Sequence, residues 1–427
     1  MSDTQIEYDV VILGAGIAGM GAAWKAKSEG LRFAVFEAHE RAGGVLQSQV
    51  VDGHLLDYGA NSCATSPQYL EFLAHLGVQD QLVEATAASK RRFLWQAPGI
   101  RAVGGLKDLL FADWISGRGK RQLFSEPFKR RGTADDESVS AFLSRRIGEE
   151  AMKKLVDPVL GGIYAGDITT LSAWAVMEKL KSGEQRFGSL LKTMFKQPPV
   201  PRKISNLKGG MGSLGEAFSE VYKAELHTGR QVTRIERSSG ARSAQRWRVH
   251  FSDGTQVSAA TVVSALPSPV LAAVLEEKSV AALLKTIEYA PLRVDYFEIA
   301  AKLLPVEGFG ILVPSVLGKS VRGVLMGSVA FEGRAPEGVH TLTVFSNAKD
   351  TAQVEQELSA LLGTQQMRCL GTRNWSQAIP QFTLGYPQWK KSIEEALPEG
   401  LLLAGNYLGK VGVADVLSSG YDLNVRP

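Results

Sequence analysis

A chain of 427 residues with 44% hydrophobic and 22% charged residues is too long for one ordinary core, so two or three domains are expected, and its mixture is that of a globular protein. No apolar run is long enough to span a bilayer and no leader precedes the first strand, which favours a cytoplasmic location. Two cysteines (Cys63, Cys369) and six scattered histidines argue against a disulfide scaffold, a dithiol centre or a zinc site, so redox chemistry calls for an organic cofactor.

Residues Tyr8–Leu13 form a short, β-branched apolar run, the pattern of a strand buried on both faces. It leads directly into Gly14-Ala15-Gly16-Ile17-Ala18-Gly19. A helical pattern follows through Ala22, Ala23 and Ala26 and stops at Gly30; the next strand, Arg32–Phe36, ends on Glu37. This is the dinucleotide fingerprint in its required context. Gly14 permits the tight turn, Gly16 admits a pyrophosphate against the backbone, and Gly19 lets helix and strand pack closely. The phosphate is expected at the helix N-terminus, beside Ile17 and Ala18. Glu37, 23 residues after Gly14, is placed to accept hydrogen bonds from a ribose diol.

Glu37 is followed by Ala38-His39-Glu40-Arg41-Ala42-Gly43-Gly44. This R-x-G-G turn resembles the flavin amine-oxidase superfamily, which implies that Ala38, Arg41, Gly43 and Gly44 close over the diphosphate of FAD. Asp57-Tyr58-Gly59-Ala60-Asn61 is similar to that superfamily's next segment, implying that Gly59, Ala60 and Asn61 approach the flavin.

The net charge of +4 is unevenly placed: Lys90–Arg131 holds eleven basic residues against three acids, a local +8. Leu109, Leu110, Phe111, Trp114, Ile115, Leu123, Phe124 and Phe128 interleave with that charge. The mixture suits an anionic lipid surface, where attraction and apolar burial add; a solvated basic face is the plainer alternative. Nucleic acid is not expected, because no binding module accompanies the charge. Three prolines in Lys196–Lys203 impose an extended linker.

Later pieces return to the first fold. Gln231–Ile235 reads as a strand bringing Val232 against the adenine. Trp247–Phe251 and Val257 flank a Ser252-Asp253-Gly254 hairpin, and Thr261–Ala265 reads as a further buried strand. Leu401–Asn406 is a strand entering a turn, and Val411-Gly412-Val413-Ala414-Asp415 starts a helix whose positive end faces the flavin ring. The expected fold is a doubly wound, Rossmann-like FAD domain (1–88, 205–268, 398–427). Into it are inserted an α+β substrate domain (89–95, 269–397) and a mostly helical membrane-associating domain (96–204).

The inserted segments narrow the family. Leu160-Gly161-Gly162-Ile163-Tyr164-Ala165-Gly166-Asp167 with Leu171-Ser172 resembles a signature of the oxygen-dependent protoporphyrinogen oxidases. Lys208–Leu214, Gly308–Ser315, Ala378–Gly385 and Ala404–Tyr407 follow in that family's order. The resemblance implies hydride transfer from a porphyrinogen to flavin, with oxygen as final acceptor and hydrogen peroxide as product. It needs no acid–base constellation, since aromaticity drives the reaction. By the same resemblance Arg92 pairs with a ring propionate, Phe331 packs on a pyrrole, Leu312 sandwiches the macrocycle, and Gly162 presents backbone to it. Peripheral attachment to the inner membrane is expected, and a homodimer is left open. Coproporphyrinogen, with four carboxylates, is the alternative substrate. An amine oxidase is the more distant one, because Asn406 stands where those enzymes usually carry an acid.

Overall fold

The computed structural model describes residues 6–96, 99–103, 113–198, 200–237 and 247–426. Its first sheet runs Leu226–His227, Phe33–Phe36, Ile6–Leu13, Gln256–Ser264, Trp247–Phe251 and Val232–Arg237, with Leu401–Leu403 also paired to Gln256–Ser264. The strands from Leu226–His227 to Gln256–Ser264, and Leu401–Leu403, pair in parallel. Val10, Val11, Ile12 and Leu13 are fully buried because both faces of this strand are covered. Phe33–Phe36 and Gln256–Ser264 flank it on opposite sides, so a switch point opens at its carboxyl end.

Val257 and Thr261–Ala265 were expected as separate strands. They belong to one strand, Gln256–Ser264. Its first half pairs antiparallel with Trp247–Phe251 while its length pairs parallel with Ile6–Leu13. The hairpin thereby fuses directly to the parallel core.

Helix Ile17–Ser28 is buried nearly all round, from Ala18 to Trp24, because the sheet covers one side and helix Val413–Tyr421 the other. Glycines set that second contact. A Cβ on Gly21 would lie 2.2 Å from the Leu417 carbonyl oxygen, and one on Gly420 would lie 2.0 Å from that of Ala18.

The second sheet orders Met367–Pro380, Tyr289–Ala300, Val339–Ser346, Val321–Met326, Gly310–Leu312, Arg92–Gln96 and Gly99–Val103. All its pairs are antiparallel except Gly310–Leu312 with Arg92–Gln96. Gly99–Val103 thus joins this sheet, although the helical segment was expected to start at 96.

Between the sheets' segments lie helices Gly117–Phe124, Val139–Ile147, Asp157–Tyr164, Glu178–Phe187 and Leu190–Lys196. Charges hold them together. Arg146, fully buried, pairs with Glu126, and Lys181 and Glu184 are buried beside them. Burial acts to raise the Glu126 carboxyl, but the Ser189 hydroxyl, the Leu190 amide and the Arg146 guanidinium hold it below the ordinary value. Among the described residues no helix is long and apolar enough to cross a membrane.

Gly420→Ala should lower stability by about 1–3 kcal/mol, because backbone must move to admit one methyl. Gly117→Ala, whose added Cβ meets nothing within 4 Å, should cost nothing. Denaturant titration of the two variants checks this.

Candidate active site

The cofactor cleft forms where the parallel strands end. Gly14 takes φ +94°, and its amide donates to the Phe36 carbonyl at 2.7 Å. A Cβ on Gly19 would fall 1.9 Å from the Gly14 oxygen. Glu37 is only 6% exposed; the amides of Ala15 and His39 donate to its carboxylate at 2.8 and 3.0 Å. The acid is therefore tied to the glycine turn and held ready at the strand end.

The second glycine turn packs on the first. The Gly43 amide donates to the Ala15 carbonyl at 2.9 Å. A Cβ on Gly44, at φ +57°, would stand 3.1 Å from Gly16 Cα. Arg41 is folded into its own turn, donating to the carbonyls of Ala42 and Gly44. Helices Ile17–Ser28 and Val413–Tyr421 both begin on glycine, Gly16 and Gly412, with no side-chain cap. Their first-turn amides have no intrahelical acceptor and are free for an anion or carbonyl. Two touching glycine turns, two uncapped helix starts and an oriented carboxylate are the cradle that a dinucleotide needs. The residues fit FAD.

Other expected contacts surround this cradle. Asn61 donates to the Gly59 carbonyl at 3.0 Å and receives Asn206 on its own carbonyl at 2.7 Å. Val232 opens its strand, half-buried against the core beneath the sheet. Asn406 begins a short 3₁₀ turn after Gly405, and Val411 lies half-buried before Gly412 and Val413. Ala38, Ala60, Ile17 and Ala18 lie in or beside the two turns.

A cavity of about 380 Å³ lies between helix Asp157–Tyr164 and the second sheet. Gly161 and Gly162 line the helix side. On the sheet, register sets Leu312 beside Gly323 and Gly323 beside Phe345, giving a row with an empty centre. A Cβ on Gly162 would approach Leu312 Cδ2 to 3.1 Å, so these two expected residues do meet. The Asp157 carboxylate fixes the helix to the sheet by accepting from the Ser315 amide at 3.0 Å. Thr343 lies 3.5 Å from Asn61, and Phe345, two positions on in the same strand, lines the cavity. The strand thus links the Asp57–Asn61 segment to the cavity.

Two expected substrate residues stand differently. Phe331 is 1% exposed, with the Arg334 guanidinium 5.4 Å from its ring centroid, and does not line the cavity. Its chain position ends a short helix whose residues Val329 and Ala330 pack inward. The aromatic that lines the cavity is Phe345, which sequence reasoning missed. Arg92 is exposed, 5.5 Å from the Phe309 ring, at the start of its strand. It pairs with Gly310, two residues from Leu312, on the sheet face that carries Leu312. It borders the row without lining the cavity.

Neither cysteine offers a nucleophile: burial pushes the Cys63 thiol up to about 12, and burial also raises Cys369. Among the described residues no His/Cys/Asp/Glu cluster is arranged for a metal. Glu37→Ala should weaken FAD binding by about 1.5–3 kcal/mol through loss of a charge-assisted contact. Equilibrium dialysis of flavin from wild type and variant measures this, and full retention refutes the assigned role.

The model for "Flavin containing amine oxidoreductase" matches residues 17–422. The mitochondrial protoporphyrinogen oxidase of Nicotiana tabacum is 30% identical, covering 96% of this chain and 93% of its own length. The coproporphyrinogen III oxidase of Bacillus subtilis (strain 168) is 26% identical and covers 96% of both. A solved structure from Exiguobacterium sp. 255-15 superposes with TM-score 0.80 at 22% identity, covering 99% of this chain and 98% of that one. Reduced UDP-galactopyranose mutase shares the fold with TM-score 0.72 at 14% identity, over 97% and 94%. With the glycine cradle, these likenesses place the chain: it belongs to the flavin containing amine oxidoreductase family and is an FAD-dependent oxidoreductase.

Proposed function

We propose that this enzyme oxidises a porphyrinogen, with protoporphyrinogen IX as substrate and oxygen as the final acceptor. One observation carries the reading: a cavity walled by Gly161 and Gly162 on the helix and floored by Leu292 and Phe345 on the sheet, with Leu312 at its edge beside Gly162, and joined to the Asp57–Asn61 segment through Thr343 and Asn61. A broad, flat, apolar ring fits such a floor, and Gly161 and Gly162 leave room for its opposite face. Bound FAD supplies a hydride acceptor. The chain's own residues position and desolvate the ring: helix Asp157–Tyr164 closes over it, Asp157 holds that helix in place, and Arg92 borders the row to meet a propionate. Coproporphyrinogen III is the second reading, favoured by the likeness to the Bacillus subtilis enzyme.

The surface proposed for membrane contact keeps Phe128, Lys129 and Arg130 of the basic segment and adds the neighbouring Phe195. Ile115 is buried and Trp114 half-buried, and Lys107, Asp108, Leu109, Leu110 and Phe111 lie outside the described residues. Phe128 and Phe195, 88% and 82% exposed, come from adjoining elements, with Lys129, Arg130, Lys192 and Lys196 around them. Aromatic anchors within positive charge suit an anionic lipid headgroup layer.

Porphyrin fluorescence should rise when the purified flavoenzyme is given protoporphyrinogen IX under oxygen, with peroxide formed alongside. Arg92→Ala should lose on the order of 30- to 1000-fold in kcat/KM at unchanged flavin content. No turnover of either porphyrinogen refutes the reading. Sedimentation with anionic vesicles should capture the protein, less so at high salt; Phe128→Ser with Phe195→Ser should abolish capture, and indifference to vesicles refutes the docking surface.

A further inference from the structure

We propose that Arg322 forms a carboxylate-binding subsite in the cavity wall, separate from Arg92, that holds an acidic arm of the ring substrate; this rests on the porphyrinogen reading above. The position is set by an irregularity in the sheet. Val321 pairs with Ser346 and Gly323 with Phe345, so two steps on one strand oppose one step on the other. Arg322 is the extra residue of this β-bulge, a device that re-aims a side chain out of strict alternation. Its carbonyl still accepts from the Val313 amide at 2.9 Å, while the residue itself lines the cavity.

Arg322 is half-buried as a residue, and its side chain has no hydrogen-bond or ion-pair partner among the described residues. Several arginines as deep or deeper are paired, Arg146 with Glu126, Arg293 with Asp295 and Arg334 with Asp57, although the Arg248 Nε also lacks a partner. The two acids that share the cavity lining are otherwise occupied. Asp157 accepts from the Ser315 amide, and Asp167 accepts from the Thr169 amide at 2.8 Å. Neither acid pairs with Arg322, so its donors are left for a ligand carboxylate, which a guanidinium can hold bidentately.

Gly323 follows Arg322 directly and forms the gap between Leu312 and Phe345. A ring laid over that gap brings one edge to Arg322. Arg92 stands two strands away, beside Gly310, roughly 10 Å across the sheet. The two cations therefore meet different edges of one ring.

The test uses the flavin-loaded enzyme with protoporphyrin IX and its dimethyl ester, followed by quenching of tryptophan fluorescence. Arg322→Gln should weaken the diacid at least tenfold and the ester less than twofold, at unchanged melting temperature. Arg322→Lys should restore part of the loss. Undiminished diacid binding in Arg322→Gln, or equal losses for both ligands, overturns the subsite alone. If the wild type binds neither porphyrin, the porphyrinogen reading itself falls.

Discussion

A single buried carboxylate joins the parts of this molecule. Asp57, 2% exposed, receives the Ser48 hydroxyl and Arg334 guanidinium at 2.5 Å, and the Asn206 amide and Met211 backbone N–H at 2.9 Å. Tyr296 donates to its carbonyl at 2.8 Å. A charge taken this far from water survives only when its oxygens are saturated, and losing one partner of such a pair costs about 3–5 kcal/mol. Asp57 opens the segment that runs through Gly59 to Asn61. Its partners come from the Ser48–Val51 strand, the Ile204–Leu207 strand and the Gly209–Met211 turn after it, the loop that carries Arg334, and Tyr296 of the second sheet. The Asp57–Asn61 segment is thus pinned to the sheet that borders the cavity.

That arrangement divides labour in a way the chemistry requires. The carboxyl edge of the first sheet supplies backbone: amides, glycines without Cβ and one oriented acid. The second sheet supplies an apolar plane. Between them no side chain need gain or lose a proton for a ring to be oxidised, so the chain is free to spend its polar groups on holding and orienting. The fold is shared with enzymes as different as a sugar mutase, so what the chain binds is decided by the side chains around the cavity and not by the fold.

The cofactor half was legible in the chain because its signal is local. Strand, glycine turn, helix and acid lie within Ile6–Glu37, and each residue's role follows from its neighbours. Arg41 and Gly44 extend the same turn. The cavity was legible only in part. Gly162 and Leu312 meet as expected, but Phe331 and Phe345 both end apolar stretches, and only the strand pairing shows which ring faces the cavity. Arg322 escaped notice because a bulge leaves no mark in hydrophobic alternation. Asp57 was visible as part of a segment, yet its donors lie up to 277 residues away, where no spacing rule reaches.

The first sheet has a history written into its strand order. Its central pair joins Ile6–Leu13 to Gln256–Ser264, and it closes on Leu401–Leu403. Helix Val413–Tyr421, which presses into the glycines of Ile17–Ser28, ends six residues before the C-terminus. During synthesis Ile6–Leu13 can pair early with Phe33–Phe36, but its other partner, Gln256–Ser264, and the helix that covers Ile17–Ser28 emerge much later. Such long-range pairing is slow and leaves apolar edges uncovered meanwhile. Until Val413–Tyr421 emerges, the glycine face of Ile17–Ser28 has no cover, so the FAD cradle is completed late in synthesis.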